Sequence, residues 1–322
     1  MPLVPIDSAG SPISPTTEFV SSMNSLKGIL WAALSSSTFG LAPLFTLLLL
    51  GVGYSSCEVL TYRWGVASIC LIAFGVLSGR NFKLSRDELK SVLVLSLFRA
   101  TTSFSLVIAY QNIASGVAST IHFMYPLAVA LAMICFFQER GSVRIFLAVA
   151  LSIVGAVLLS LGNEGFVRGN TTLGIVAAAV SVFSYGGYIV GVRRSRAVQI
   201  DSIVLTCYVM GIGALLFFIG GCCSGGVRIE TDPRVWLYIL GIAIPATAVS
   251  NMALVKAIKC IGPTMTSILG AMEPFTAVVI GILVFAEPFT GQGVAGILLI
   301  VASVTIVVWK ERRSEGRAEI SQ

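Results

Sequence analysis

Charge is scarce in this sequence. Asp, Glu, Lys and Arg make up 11% of it, where a soluble domain carries about a quarter, and 56% of the residues are hydrophobic. Too little polar surface is left to clothe a water-soluble fold, so the chain reads as an integral membrane protein. Histidine is nearly missing as well, His122 standing alone. The seven cysteines, at 57, 70, 135, 207, 222, 223 and 260, form no Cys-x-x-Cys pair. Without histidines at ligand spacing they make neither a zinc nor a redox motif, and they read as small apolar packing residues. No metal and no cofactor is expected.

Other absences narrow the function. An intramembrane enzyme wants paired carboxylates or several histidines converging from facing helices; one histidine and one mid-span carboxylate do not supply them, so no enzyme is expected. The net charge of +6 does not imply nucleic acid, because the basic residues lie in short runs between apolar segments instead of forming a face interleaved with aromatics. Short loops leave no room for a sizeable ligand-binding domain, which weighs against a receptor or a non-transporting scaffold. The glycines around Gly187 and Gly191 and from Gly291 to Gly296 follow no strand, and they read as close-packing surfaces instead of a phosphate loop.

What the chain does contain is an internal repeat. Sliding Ala114–Leu159 by 148 positions lays Ser119 on Ser267, Pro126 on Pro274 and Glu139 on Glu287. Upstream, an offset of 146 lays Gly28, Ala32, Ser35 and Gly40 on Gly174, Ala178, Ser181 and Gly186, and an offset of 145 lays Val59-Leu60-Thr61 on Val204-Leu205-Thr206. The expected organisation is a tail over 1–26, a first five-helix repeat over 27–162, a second over 171–310 and a carboxyl-terminal tail over 311–322. The first tail carries Pro2, Pro5, Pro12 and Pro15 and no basic residue before Lys27, so it is expected to be disordered and not a signal peptide; Met23 offers an alternative start.

Ten segments have lengths suited to a hydrocarbon core that takes about 20 helical residues: 28–50, 58–78, 91–110, 116–137, 144–162, 172–192, 201–223, 234–255, 263–285 and 291–309. With the amino terminus inside, sixteen basic residues fall on the cytoplasmic side and only Arg168, Arg228 and Arg234 on the other. That bias places both termini in the cytoplasm. Five segments per repeat force the second copy into the membrane with opposite sense, and the basic residues follow: Arg140 and Arg144 after the fourth segment have no counterpart after the ninth. Inverted halves are the usual build of a secondary transporter, since rocking one against the other opens a central site to each side in turn. The predicted fold class is all-α integral membrane, ten transmembrane helices as two inverted five-helix repeats.

Ala109-Tyr110-Gln111-Asn112-Ile113-Ala114 running into Tyr125-Pro126 and Gln138-Glu139-Arg140, and Ala257 to Gly262 running into Glu273-Pro274 and Ala286-Glu287-Pro288, resemble the EamA-type permeases of the drug/metabolite transporter superfamily. The resemblance covers about 27 to 310. It implies transport of an amino acid, another metabolite or a drug, with a central cavity lined by residues 91–137 and 234–285.

Candidate site residues come from polarity at depth. Arg99 lies roughly 13 Å from the inner end of its helix, beyond easy reach of water, whereas Arg63 lies roughly 8 Å from the outer end of its own and is expected to snorkel. An intramembrane ionisable residue is a functional candidate, although a structural ion pair would serve Arg99 equally well. Glu273 is central in the ninth segment, and its repeat counterpart is Tyr125. His122 lies about a turn from Tyr125; a lone histidine among apolar neighbours is more often a packing residue than a proton carrier. Tyr185, Tyr188, Asn251, Thr101, Thr102, Ser103 and Gln111 fill out the expected cavity. Pro126 and Pro274 are read as gating kinks, the competing reading being that proline is simply common in membrane helices. Glu139 and Glu287, at helix ends, are left out of the site.

The expectation is a multi-pass permease of the cell membrane, in a bacterium the inner membrane, exporting a small amino-acid-like metabolite by alternating access. An efflux permease for hydrophobic cationic drugs is the alternative. The expected partners are a small-molecule substrate, coupled protons and the lipid bilayer, with a homodimer left open and nucleic acid excluded.

Overall fold

A computed structural model describes residues 15–113, 115–138, 142–160, 169–270, 272–273, 276, 291–292, 294–296, 298–299, 301–303 and 305–306. For 15–24, 115, 116, 120, 156, 159 and 160 it describes the backbone alone. Every element among them is helical: α1 (Pro15–Phe39), α2 (Ala42–Gly51), α3 (Ser56–Leu77), α4 (Arg86–Asn112), α5 (Ser115–His122), α6 (Tyr125–Phe137), α7 (Val143–Ser160), α8 (Thr171–Arg194), α9 (Ser202–Cys223), α10 (Pro233–Ala243) and α11 (Ser250–Leu269). A 3-10 turn at Arg196–Gln199 follows α8, and a π-helical stretch at Ile244–Val249 joins α10 to α11.

Local chemistry explains where the helices begin. α3 and α4 each open with Ser-x-x-Glu. Glu58 N donates to Ser55 Oγ while Ser55 N donates to Glu58 Oε2, and Ser85 with Glu88 repeats the exchange, so two orphan backbone donors are satisfied reciprocally at each start. Asn170, Asp201 and Asp232 cap α8, α9 and α10 through their side-chain oxygens. Pro43 and Pro233 sit in first turns, where a missing N–H leaves nothing unpaired.

Six helical runs are long and apolar enough to cross a membrane: Ser25–Gly51, Ser56–Leu77, Arg86–Asn112, Thr171–Arg194, Ser202–Cys223 and Pro233–Leu269. Tyr125–Phe137, Val143–Gly155 and Val294–Ser303 are apolar but shorter. The predicted count of ten is therefore not reached among the described residues. The 37-residue run exceeds one crossing, and Gly262, at φ 80° and ψ 169°, breaks it. This left-handed φ is open to glycine at little cost, and Pro263 follows, fitting the start of a new helix.

The fourth predicted segment is likewise two helices. α5 stops at His122, Phe123 and Met124 form a turn, and α6 restarts with Pro126 in its first turn. Pro126 thus sits beside an interruption instead of inside a bent helix, because a restart needs no N–H at that position. The second copy does the same where it is described: α11 ends at Leu269, Glu273 N donates to Gly270 O at 2.9 Å, and 272–273 are helical again. Pro274, Glu139 and Glu287 lie outside the described residues.

The halves pack by one contact made twice. Gly28 on α1 is pressed onto Ile261 of α11 and leaves no room there for a Cβ; Gly174 on α8 is pressed onto Ile113, where a Cβ would lie 2.6 Å from Cγ2. Gly174 is the repeat counterpart of Gly28, and Ile113 that of Ile261. Gly40 and Gly186 face Thr276 and Ala128, again a matched set, although only Gly40 is tightly pressed. Reciprocal contacts of equivalent residues are what a two-fold relation between the halves produces.

Candidate functional site

The interior between the halves is aromatic, with two arginines set into it. Arg99 on α4 is 1% exposed. Its Nε donates to Asn251 Oδ1 at 2.9 Å, and its guanidinium carbon lies 5.0 Å from the centroid of the Tyr185 ring, 5.4 Å from Phe39 and 5.8 Å from Tyr188. Such contacts attract a cation to the ring faces. Tyr125 meets Tyr185 edge-on at 4.6 Å, and His122 stacks on Tyr185 at 5.2 Å. His122 Nδ1 is 2.8 Å from Ser181 Oγ.

Arg63 belongs to the same cluster. It is 5% exposed, its Nε donates to Thr247 Oγ1 at 2.7 Å, and its guanidinium carbon lies 5.6 Å from the Phe39 centroid. The expectation of a snorkelling Arg63 fails for a tertiary reason. Residues 228–236 cover the amino-terminal end of α3: Glu58 pairs with Arg228 at 3.0 Å, and Tyr62, next to Arg63, donates its hydroxyl to the Arg228 carbonyl at 2.5 Å. The route along the helix to water is occupied.

The π-helical stretch places the arginines' partners. Pro245 cannot donate a backbone hydrogen bond, the ladder widens, and Thr247 Oγ1 donates to the Ile242 carbonyl five residues back. Thr247 and Asn251 then lie a turn apart facing α3 and α4, with Asn251 Nδ2 donating to the Thr247 carbonyl at 2.7 Å. Single π-turns recur at functional positions.

Of the sequence-predicted residues, Arg99, Asn251, Tyr125, His122 and Tyr185 are brought together, and Tyr188 joins them. Glu273 is half-buried and within electrostatic range of Arg99, Tyr110, Tyr125 and Tyr185. Arg99 and Glu273 form no ion pair among the described residues. Thr101 and Gln111 lie at the exposed surface, Gln111 accepting from Ser56, and Thr102 donates to Ser184. Phe39 and Arg63 escaped the sequence reading. Arg63's charge inside a span was the available signal, overridden by its short distance to the helix end; Phe39, one apolar residue among many, carried none.

Four buried polar atoms of this cluster have no hydrogen-bond partner among the described residues: Arg63 Nη2, Arg99 Nη1, His122 Nε2 and the Tyr188 hydroxyl. Unpaired donors and acceptors in a dry interior are costly, and they give the cluster spare capacity to bind a polar group. The contacts of Arg63, Arg99 and His122 each cross between the halves, so a movement of one half against the other would remake all three.

A model of the EamA-like transporter family matches residues 26–161 and again 172–309. An uncharacterized transporter of Archaeoglobus fulgidus is 25% identical over 222 residues, 69% of this chain and 77% of that one. The uncharacterized transporter YojE of Bacillus subtilis is 25% identical over 284 residues, 83% and 88% of the two chains. A protein crystal structure superposes with a TM-score of 0.73 at 19% identity, covering 91% of this chain and 99% of its own; at that identity it shares the fold. The fold and the matched repeats define a transmembrane transporter. The chain belongs to the EamA-like transporter family.

Proposed function

We propose that the protein is a secondary transporter that moves a small, carboxylate-bearing, amino-acid-like metabolite by alternating access between two inverted five-helix halves. The observation that carries this reading is Arg99, which is buried, oriented from Nε by an asparagine of the other half, and has an Nη1 donor with no partner among the described residues. A guanidinium so held is suited to a carboxylate. The substrate's ammonium would face Glu273, and its side chain would lie against Tyr125 and Tyr185. Protons are the proposed coupling ion, with His122 and Glu273 as the titratable groups at hand, and export is the proposed direction.

The topology belongs to the same proposal: ten crossings of a cell membrane with both termini cytoplasmic. A hydrophobic cation is the rival substrate, favoured by the aromatic rings. Two guanidiniums already lie over those rings and repel it.

Purified protein in liposomes, tested for counterflow of radiolabelled amino acids, checks the reading. Trapped unlabelled amino acid should drive label inward, and Arg99→Gln should abolish the effect. Counterflow of a lipophilic cation with none for any amino acid would establish the rival.

A further inference from the structure

Arg63 and Arg99 approach one phenyl ring, Phe39, at 5.6 and 5.4 Å. Both are held in the same way, Nε donating to a polar side chain of the opposite half one turn from its fellow. Both present a buried Nη donor with no partner among the described residues. The buried carboxylate of α3, Glu58, is engaged by Arg228, which leaves Glu273 as the one described carboxylate within electrostatic range of Arg99. Among the described residues this interior sets two guanidiniums against one carboxylate and so is short of an anion, and an uncompensated charge at membrane depth is unfavourable.

From this we infer that the substrate carries two carboxylates and one ammonium, the chemistry of an acidic amino acid, with Arg63 as the residue that selects for the second carboxylate. The inference rests on the proposed substrate site and deepens it. A neutral zwitterion would engage Arg99 and Glu273 and leave Arg63 bare; an acidic one engages all three and leaves the site electrically neutral. The α-carboxylate goes to Arg99 and the ammonium to Glu273. The side-chain carboxylate goes to Nη2 of Arg63, which has no partner among the described residues. Arginine suits this role because its planar fork, anchored at Nε, keeps its remaining donors aimed.

The test is competition binding and counterflow with the full-length protein in liposomes. L-glutamate and L-aspartate are compared with their amide counterparts L-glutamine and L-asparagine, which match them in size and lack only the second charge. The acids should bind at least about tenfold more tightly than the amides, the effect of one further charge-assisted hydrogen bond. Arg63→Gln should bring that ratio close to one, and Arg63→Lys should keep part of it. Amides that bind as well as acids in the parent overturn the inference while leaving the amino-acid reading standing, as does an Arg63→Gln variant that melts earlier with its acid-to-amide ratio intact. Should Arg63→Gln fail to fold, the parent's own ratio still decides. Absence of binding by acids and amides alike overturns the inference, and absence for every other amino acid as well overturns the amino-acid reading too.

Discussion

Arg63 and Arg99 are joined across the molecule by a hydrogen-bonded path through Thr247 and Asn251. Arg63 donates to the Thr247 hydroxyl, the Asn251 amide donates to the Thr247 carbonyl, and Arg99 donates to Asn251 Oδ1. Asn251 is therefore the residue whose change most directly tests how Arg99 is positioned. Asn251→Ala leaves the Arg99 Nε donor unpaired and is expected to lower the melting temperature and weaken amino-acid binding about tenfold. Asn251→Asp is expected to behave differently: its carboxylate pairs with Arg99, competes with substrate and abolishes binding while the protein stays folded. Equal binding by parent and Asp variant would remove Arg99 from the site.

Glu273 separates the two substrate classes. Glu273→Gln keeps size and polarity but removes the charge that an ammonium needs, so counterflow of amino acids should fall at least tenfold while the protein remains in the membrane. Normal movement of every amino acid and cation by this variant would show that the carboxylate lies outside the site.

Pro126 tests the interruption between α5 and α6. Alanine at this position restores a backbone N–H and allows the helix to run on through Phe123 and Met124. The expected result is slower counterflow, several-fold, with substrate affinity little changed, because the hinge and not the contact surface is altered. A normal rate would make the break purely structural.

The covering over the amino-terminal end of α3 is predicted to weaken in acid. Glu230 accepts from the Tyr54 hydroxyl and from the backbone of Asp232 and Thr231, and these bonds hold its carboxyl below the ordinary value of 4.5. Because the folded state favours the charged form, its stabilisation is present above that ordinary range and is lost as pH falls through the lowered value. Melting temperatures taken from pH 6.5 downward should drop below about pH 4.5, and Glu230→Gln should flatten that part of the curve. Identical curves for parent and variant would remove Glu230 from the account.

Orientation is open to a direct check. A reporter active only outside the cytoplasm should work when fused after Gly226 and stay silent after Arg194. The opposite pattern would invert the topology.

Several features of this protein could be read in the linear chain because their causes are local or periodic. Long apolar runs announce membrane helices since a bilayer needs about 20 helical residues, and Ser55 with Glu58 and Ser85 with Glu88 mark helix starts through bonds spanning three residues. The repeat offset put Gly28 opposite Gly174 before any contact was known, and the two glycines then proved to make equivalent contacts, with Ile261 and Ile113.

Pro126 flagged the right place but not its form, because a missing N–H is compatible with both a bend and a restart. Arg63 shows what only the tertiary structure decides. Depth along its own helix measures the distance to that helix's end and says nothing of Arg228, 165 residues away, lying across the way out. The partners of Arg63 and Arg99 stand 184 and 152 residues distant, so nothing local to either arginine announces them. Which buried donors remain free is settled by where every neighbouring side chain ends.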